Sequence, residues 1–202
     1  MRLTAENLAA ERGGEPVFSG VAFSLSDGEA LVVTGENGSG KSTLLRVVAG
    51  LLPALEGSVR VEEGVEGFTT PAAACHYLGH QNGMKPALSV SENLSFWRDY
   101  MGEPHCEVEE ALDMVGLPDV GDLPFSYLST GQRRRIAIAH LLVAWRPIWI
   151  LDEPTAGLDA RSERQFAALI AAHRDEGGIV LAATHVPLGI ESAKALRLGD
   201  AG

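Results

Sequence analysis

The stretch ALVVTGENGSGKSTLLRVVAGLL at residues 30–52 decides the fold class of this chain. Residues 30–34 are an apolar run typical of a short buried strand, and residues 41–52 are predicted to form a helix that ends before Pro53. Between the two, residues 35–42 match the complete pattern G-x-x-x-x-G-K-S. A glycine-rich turn in this context lets the backbone wrap closely around phosphate oxygens and point its amide N–H groups at them. The stretch therefore predicts a phosphate-binding loop.

The chemistry expected of this loop comes from two side chains and from its backbone. The ammonium of Lys41 supplies a positive charge for the β- and γ-phosphates of a nucleotide, and the hydroxyl of Ser42 supplies a ligand for Mg²⁺. The helix that follows adds the positive end of its dipole. The other predicted nucleotide-binding residues of this segment are Gly35, Glu36, Asn37, Gly38, Ser39, Gly40 and Thr43.

A second motif is the apolar run IWILDE at residues 148–153, which ends in two acidic residues. Such a run suits a central parallel strand buried on both faces, and the carboxyl end of that strand is where these sheets bind ligands. We expect Asp152 to hold Mg²⁺ through its water shell and Glu153 to polarise the water that attacks the γ-phosphate. A kinase or a GTPase needs no such adjacent glutamate base, so the pair argues against both classes.

A third motif, LSTGQ at residues 128–132, opens a predicted helix. Ser129, Gly131 and the first helix amides make a second phosphate-binding helix start. One nucleotide cannot use both this helix start and the Lys41 loop of the same chain at opposite sides of its γ-phosphate. Two chains arranged head to tail solve the problem, because each then completes the site of the other across a two-fold interface. The sequence thus predicts a head-to-tail homodimer with two composite sites.

In this order and spacing, the three motifs resemble those of the nucleotide-binding domain of ABC ATPases, and the resemblance covers essentially the whole chain. It implies an α/β P-loop NTPase fold with a mostly parallel sheet and a small N-terminal antiparallel β part. It also implies a helical subdomain inserted at about residues 88–127 of a single domain, 1–202. The groups bound would be ATP and Mg²⁺.

The same resemblance assigns roles to further residues. Gln81 resembles the glutamine that contacts Mg²⁺ and senses the transmembrane partner, and His185 resembles the switch histidine that contacts the γ-phosphate. Gln132 belongs to the signature motif, and Asp159 belongs to the loop that crosses to the other subunit. The predicted catalytic residues are thus Glu153, His185, Lys41 and Gln81, and the predicted Mg²⁺ ligands are Ser42, Gln81 and Asp152.

The sequence departs from this family where adenine usually stacks on an aromatic side chain. Residues 10–14, AERGG, contain no aromatic residue. Two candidates remain for the base: Arg12, which would stack through its guanidinium plane, and Phe18, which would shift into the position. Thr130 replaces the common second glycine of the signature, and His140 stands where an arginine is common.

Further stretches resemble the ATP-binding subunits of cytochrome c biogenesis haem exporters, among them FSGVAFSL at residues 18–25 and GHQNGMK at residues 79–85. That resemblance implies a dimer beneath integral membrane subunits of the CcmB and CcmC type, peripheral on the cytoplasmic face of the bacterial inner membrane. There, ATP hydrolysis would drive release of a haem-loaded chaperone. The alternatives are an ATPase subunit of another ABC transporter or membrane-mechanical system, and a soluble DNA-repair or ribosome-associated ABC ATPase. The last class needs a coiled-coil insertion or paired cassettes.

Hydrophobic periodicity and turn signals predict the remaining elements. The first 25 residues are predicted to form short extended pieces near a turn at Gly20. Ser89 and Glu92 have the spacing of a capping box, which predicts a helix that continues to Met101. Further strands are predicted at residues 59–61, 74–78, 148–152 and 178–184, and further helices at 103–115, 129–145 and 160–174.

A membrane partner is expected to dock near Gln81 and on the helical subdomain. Phe96 and Tyr100 lie off the predicted apolar stripe of their helix and are the predicted contacts, whereas Leu94 and Trp97 are predicted to be core. No direct binding of haem or of a metal ion by the histidines and cysteines is expected, because no pair of them has zinc-like spacing with two further ligands. The residues concerned are Cys75, His76, His80, His105 and Cys106.

The composition excludes several modes of action. The net charge of −11 over 202 residues repels nucleic-acid backbones and anionic membrane surfaces, so no nucleic-acid partner is expected and membrane attachment must come from other subunits. No run of 18 apolar residues and no signal peptide is evident. Only two cysteines are present, which favours a reducing compartment.

Overall fold

The computed structural model describes residues 1–63 and 67–199. Contacts within the chain group it into two compact units. The first unit comprises Met1–Tyr77, Arg146–Glu153 and Ala171–Gly202, and the second comprises Leu78–Trp145 and Pro154–Ile170. The single domain with an insertion at residues 88–127 stays a prediction.

The described residues form eight strands, six α-helices and a 3-10 turn at Phe125–Tyr127. The strands are β1 (Arg2–Arg12), β2 (Glu15–Ser26), β3 (Ala30–Thr34), β4 (Glu56–Glu62), β5 (Cys75–Leu78), β6 (Ile148–Asp152), β7 (Ile179–Ala183) and β8 (Lys194–Arg197). The helices are α1 (Lys41–Val48), α2 (Pro71–Ala74), α3 (Val90–Met101), α4 (Val108–Met114), α5 (Thr130–Val143) and α6 (Ala160–Asp175).

A three-stranded antiparallel sheet with the order β2-β1-β4 forms the predicted N-terminal β part. Strands β1 and β2 are longer than expected, and the chain reverses at Gly13 and Gly14, so the predicted turn near Gly20 is wrong. Both glycines have positive φ, 63° and 84°, as the central residues of a type I′ hairpin turn require. Gly20 lies within β2, where the pairing with β1 is irregular.

The central sheet has five strands in the order β5-β6-β7-β3-β8. Strand β3 runs parallel to β7 and β8, and β6 runs parallel to β7. Every residue of β6 and of β7 is buried, as the continuous apolar runs predict. The carboxyl ends of β3, β6 and β7 therefore lie at the same edge of this sheet, which is where the motif residues follow them.

The second unit contains the helices α3, α4 and α5. The predicted capping box of α3 is present: Ser89 Oγ accepts a hydrogen bond from the amide of Glu92 at 3.1 Å, and the Glu92 carboxylate accepts from the amide of Ser89 at 2.7 Å. Helix α4 begins at Val108, not at Glu103 as predicted. Glu103 has a positive φ of 52° and precedes Pro104, which disfavours helical geometry before it.

The structure differs from the predicted elements in the end of one helix and in two additional short elements. Helix α1 ends at Val48, four residues early, because Gly50 adopts a left-handed conformation with φ 71°. The short helix α2 and the strand β8 were not predicted. Strand β8 spans only four residues, of which three are exposed, so it carries no apolar run to recognise. Among the described residues, no helix has both the length and the apolar character needed to cross a membrane.

Candidate nucleotide-binding site

The loop between β3 and α1 curls around the side chain of Lys41. The ammonium of this buried lysine donates hydrogen bonds to the carbonyl oxygens of Gly35 and Glu36, at 2.8 and 2.9 Å. A Cβ atom at Gly35 would lie 2.5 Å from the carbonyl oxygen of Leu198, and its φ of 149° is a conformation that L side chains rarely adopt. The glycine at this position therefore lets the loop pass close to the backbone that follows β8.

The other end of the loop packs against β2. A Cβ atom at Gly40 would collide with the side chain of Val17 and would lie 3.2 Å from the ring of Phe18. Phe18 is buried under the loop, whereas Arg12 is exposed at the end of β1. The choice between these two residues for contact with the base stays a prediction.

Both oxygens of the Asp152 carboxylate accept hydrogen bonds. Ser42 Oγ donates to Oδ1 at 3.0 Å, and the phenol of Tyr77 donates to Oδ2 at 3.1 Å. Arg46 Nε in turn donates to the phenol oxygen of Tyr77 at 3.3 Å. Burial raises the pKa of Tyr77, so the phenol keeps its proton. Sequence reasoning paired Ser42 with Asp152 but missed Tyr77 and Arg46.

Ser42 and Asp152 are chemically suited to Mg²⁺. Both offer oxygen, the ligand this ion prefers, and Asp152 is only 1% exposed. Because Ser42 uses its proton in the bond to Asp152, the lone pairs of its hydroxyl remain available for a cation. The donor set therefore fits the magnesium ion that the loop motif predicts.

Glu153 and His185 meet beyond the ends of β6 and β7. Glu153 Oε1 lies 3.4 Å from Nε2 of His185. Glu153 has a positive φ of 47°, and its amide donates to the carbonyl of Ala183 at 2.9 Å. A left-handed residue other than glycine costs about 1–3 kcal/mol and persists where its surroundings hold it. The strained backbone at Glu153, the base predicted from sequence, thus directs this carboxylate toward His185.

In the second unit, Ser129 caps α5. Ser129 Oγ accepts a hydrogen bond from the amide of Gln132 at 3.3 Å, and the Gln132 side chain accepts from the amide of Ser129 at 2.9 Å. A Cβ atom at Gly131 would lie 3.1 Å from the carbonyl oxygen of Gly157. The start of α5 therefore packs against the turn that leads to Asp159.

Asp159 caps the start of α6, where its carboxylate accepts a hydrogen bond from the amide of Ser162 at 2.8 Å. That bond holds the pKa of Asp159 below its usual value. Gln81 is exposed in the same unit. The assigned roles of Gln81, Ser129, Gly131, Gln132 and Asp159 stay predictions.

Arg134 is a buried residue of α5 that sequence reasoning also missed. Its guanidinium donates to the carbonyl of Gly79 at 2.6 Å and to the carbonyl of Pro154 at 2.7 Å. These two backbone positions precede Gln81 and follow Glu153 in the sequence. An arginine within a run of three arginines gives no sign that one of them is buried.

The part of the chain that carries the three nucleotide motifs is shared with known proteins. The family model for ABC transporters matches residues 18–156. The chain belongs to the ABC transporter family. The predicted resemblance to ABC ATPases is confirmed. As an ABC ATPase domain, the chain binds nucleotide and hydrolyses ATP.

Two bacterial ABC relatives are similar to this chain over nearly its whole length. One, from Mesorhizobium japonicum, is 67% identical over 202 residues and covers 100% of both chains. The other, from a Chelativorans species, is 62% identical over 98% of each chain. Both are named cytochrome c biogenesis ATP-binding export protein CcmA, so the predicted resemblance to ATP-binding subunits of this kind is confirmed.

A solved structure supports the ABC fold. An ATP-binding protein of an ABC transporter from Pyrococcus furiosus superimposes with a TM-score of 0.83 over 98% of each chain, at 21% identity. At that identity the likeness concerns the fold alone. The predicted fold class, with its parallel sheet, its antiparallel N-terminal sheet and its helices, is confirmed.

The cysteines and histidines outside the nucleotide motifs do not converge. Within residues 1–63 and 67–199, no group of three or more His, Cys, Asp or Glu side chains is arranged to hold a metal ion. Cys75 is buried, and burial raises the pKa of its thiol. Burial also raises the pKa of Cys106 to about 11, so both thiols are protonated at neutral pH.

Proposed function

We propose that this ABC ATPase is the ATP-hydrolysing subunit of the membrane complex that exports haem or releases its chaperone in cytochrome c biogenesis. The observation that carries the hydrolytic part is the pairing of Glu153 with His185 directly after Asp152, which is itself bound to Ser42. The names of the relatives from Mesorhizobium japonicum and the Chelativorans species support the assignment to cytochrome c biogenesis.

The residues of the first unit supply the parts that ATP hydrolysis needs. Lys41 binds the β- and γ-phosphates, and Ser42 and Asp152 hold Mg²⁺. When bound, Mg²⁺ supplies positive charge for the phosphate oxygens. Glu153 orients the attacking water and accepts its proton, while His185 binds the γ-phosphate and keeps the Glu153 carboxylate in place.

The residues of the second unit complete the site of a second copy. Ser129 and Gly131 present the start of α5, where the first helix amides and the helix dipole favour a γ-phosphate. Gln132 stabilises that start through the capping box, and Asp159 follows on the loop that crosses to the other copy. The active form is a head-to-tail homodimer with two composite sites.

An exposed aromatic patch on α3 is the docking surface for an integral membrane subunit of the CcmB or CcmC type. Phe96 is 45% exposed and Tyr100 is 73% exposed, and their rings stack with centroids 5.8 Å apart. Trp97 lies beside them and donates a hydrogen bond from its indole to the carbonyl of Gly83 at 3.1 Å. Leu94 is fully buried and anchors the helix. A rigid aromatic surface of this kind suits the apolar anchors of a cytoplasmic helix.

Replacing Tyr100 with Glu is expected to weaken association with the membrane subunits about 10- to 100-fold, since buried aromatic anchors dominate interface energies. The measurement is co-purification of the membrane subunits with the tagged chain in detergent, followed by titration. Tyr127→Glu is the matched control because Tyr127 is also in the second unit and is 79% exposed. Equal losses in the two variants, or none in Tyr100→Glu, would contradict the docking surface.

The identity of the co-purifying subunits tests the cytochrome c assignment itself. We expect membrane proteins of the CcmB and CcmC type, and we expect phosphate release by the purified complex to require Mg²⁺ and ATP. A different set of membrane subunits would refute the cytochrome c assignment and leave the ATPase assignment standing.

Washing the membrane subunits away should release the chain into solution, because its net charge of −11 opposes direct binding to anionic lipid.

A further inference from the structure

Tyr77 occupies a position between a buried carboxylate and a cation. It lies on β5, and its phenol oxygen is 3.1 Å from Oδ2 of Asp152 and 3.3 Å from Nε of Arg46. Asp152 belongs to β6 and Arg46 belongs to α1, so three separate elements of the first unit meet at one oxygen atom. Neither Tyr77 nor Arg46 is part of the nucleotide motifs.

Arg46, Tyr77 and Asp152 are linked by successive hydrogen bonds, and the direction of each bond follows from which groups can donate. An arginine nitrogen can only donate, so the phenol oxygen of Tyr77 must accept from Arg46. The single phenol proton is then directed to Oδ2 of Asp152, while the hydroxyl proton of Ser42 is directed to Oδ1. Because Oδ1 and Oδ2 each accept a hydrogen bond from a different element, the carboxylate of Asp152 is held in one orientation.

We propose that Tyr77 is a positioning residue that orients the Asp152 carboxylate for Mg²⁺, with Arg46 acting on Asp152 through the Tyr77 phenol. This inference rests on the proposed function, in which Asp152 serves Mg²⁺. Tyr77 would thus act through the Asp152 carboxylate and not as a ligand of the metal ion. Partners that orient a metal ligand in this way usually contribute 10- to 100-fold to metal affinity or activity.

Replacing Tyr77 with Phe removes the phenol oxygen and leaves the ring. We expect the Mg²⁺ concentration that gives half-maximal binding of a fluorescent, non-hydrolysable ATP analogue to rise about tenfold. Binding of the same analogue in the presence of a metal chelator should stay unchanged, because the contacts of Lys41 with the loop do not involve Tyr77. Tyr127→Phe is the control, and urea unfolding of each full-length variant checks that the fold is intact.

Two outcomes of this titration would overturn the inference. One is an unchanged Mg²⁺ requirement in Tyr77→Phe. The other is an equal loss of analogue binding with and without Mg²⁺, which would indicate damage to the loop and not to the carboxylate. A higher Mg²⁺ requirement with unchanged metal-free binding would support it.

The role of Arg46 is tested by a double-mutant cycle with Arg46→Met. Because Arg46 acts through the phenol, the double variant Arg46→Met/Tyr77→Phe should need no more Mg²⁺ than Tyr77→Phe alone. Additive effects would show that Arg46 acts on Asp152 by another route and would overturn that part of the proposal.

Asp152→Asn separates failure of this inference from failure of the proposed function. If Asp152→Asn loses the Mg²⁺ dependence of binding while Tyr77→Phe retains it, Tyr77 is not a positioning residue and the proposed function stands. If Asp152→Asn itself keeps the full Mg²⁺ dependence, the proposed metal site is wrong, and the inference about Tyr77 falls with it.

Discussion

Glu153→Gln is expected to lower the rate of ATP hydrolysis about 10²- to 10⁴-fold, the usual contribution of a general base. That range corresponds to roughly 3–5 kcal/mol of transition-state stabilisation. The amide has nearly the shape of the carboxylate but cannot accept the proton of the attacking water. Lys41, Ser42 and Asp152 keep their hydrogen bonds within the first unit, so nucleotide binding should persist. Single-turnover phosphate release by the full complex is the measurement.

The same substitution should also trap the proposed nucleotide-bound dimer, because the two copies are expected to separate only after hydrolysis. In size-exclusion chromatography with MgATP, we expect Glu153→Gln to elute as a dimer. The unmodified chain should show a smaller dimer fraction, because hydrolysis shortens the lifetime of its dimer. Glu176→Gln is the matched control, since Glu176 is an exposed glutamate of the same unit. Hydrolysis by Glu153→Gln at the unmodified rate would mean that another group activates the water.

Much of the candidate site could be predicted from the sequence because its motifs are local. The backbone must curl around Lys41, which demands glycines at set positions close in sequence. Likewise, the continuous apolar run of β6 can only be buried in the sheet, so the two acids after it must emerge at the carboxyl edge. In such segments the spacing alone implies the geometry.

The residues that were missed act through contacts distant in sequence. Tyr77 reaches Asp152 across 75 residues, and Arg134 reaches the carbonyl of Gly79 across 55. A tyrosine in a short strand and an arginine in a basic run are each compatible with ordinary structural roles, so neither pattern indicates a partner. The register that joins them is set by packing of whole elements, which local patterns do not contain.

The first turn of the chain was predicted at the wrong glycine, again because the deciding contacts are not local. The reversal at Gly13 and Gly14 has the sequence of a two-residue hairpin, yet Ser19 and Gly20, which lie between the apolar residues Phe18 and Val21, are also typical of a turn. Pairing of β1 with β2 decides between them, because only the turn at Gly13 and Gly14 lets Arg12 face Glu15. The long antiparallel pairing of β1 with β2 thus outweighs the local tendency of the residues around Gly20 to form a turn.

Mixing two inactive variants is expected to restore ATP hydrolysis if the sites are composite. Lys41→Ala removes the cation that binds the phosphates, and Ser129→Arg places a bulky cation at the start of α5, where Ser129 is exposed. Each variant alone has two defective sites, so each should lose at least about 100-fold in rate. In a mixed dimer, the Lys41 loop of one copy faces the intact α5 start of the other, and one site is whole.

The size of the recovery follows from random assembly of the two variants. Equal amounts give half mixed dimers, each with one intact site of two, so independent sites should yield up to about a quarter of the unmodified rate. Mixing Lys41→Ala with Lys41→Ala/Ser129→Arg is the control, because no pairing of these chains contains an intact Lys41 loop. No recovery in the first mixture, with mixed dimers present by pull-down of differently tagged copies, would mean that each chain carries its own complete site. Recovery confined to the first mixture would establish that Ser129 acts on the nucleotide held by Lys41 of the partner.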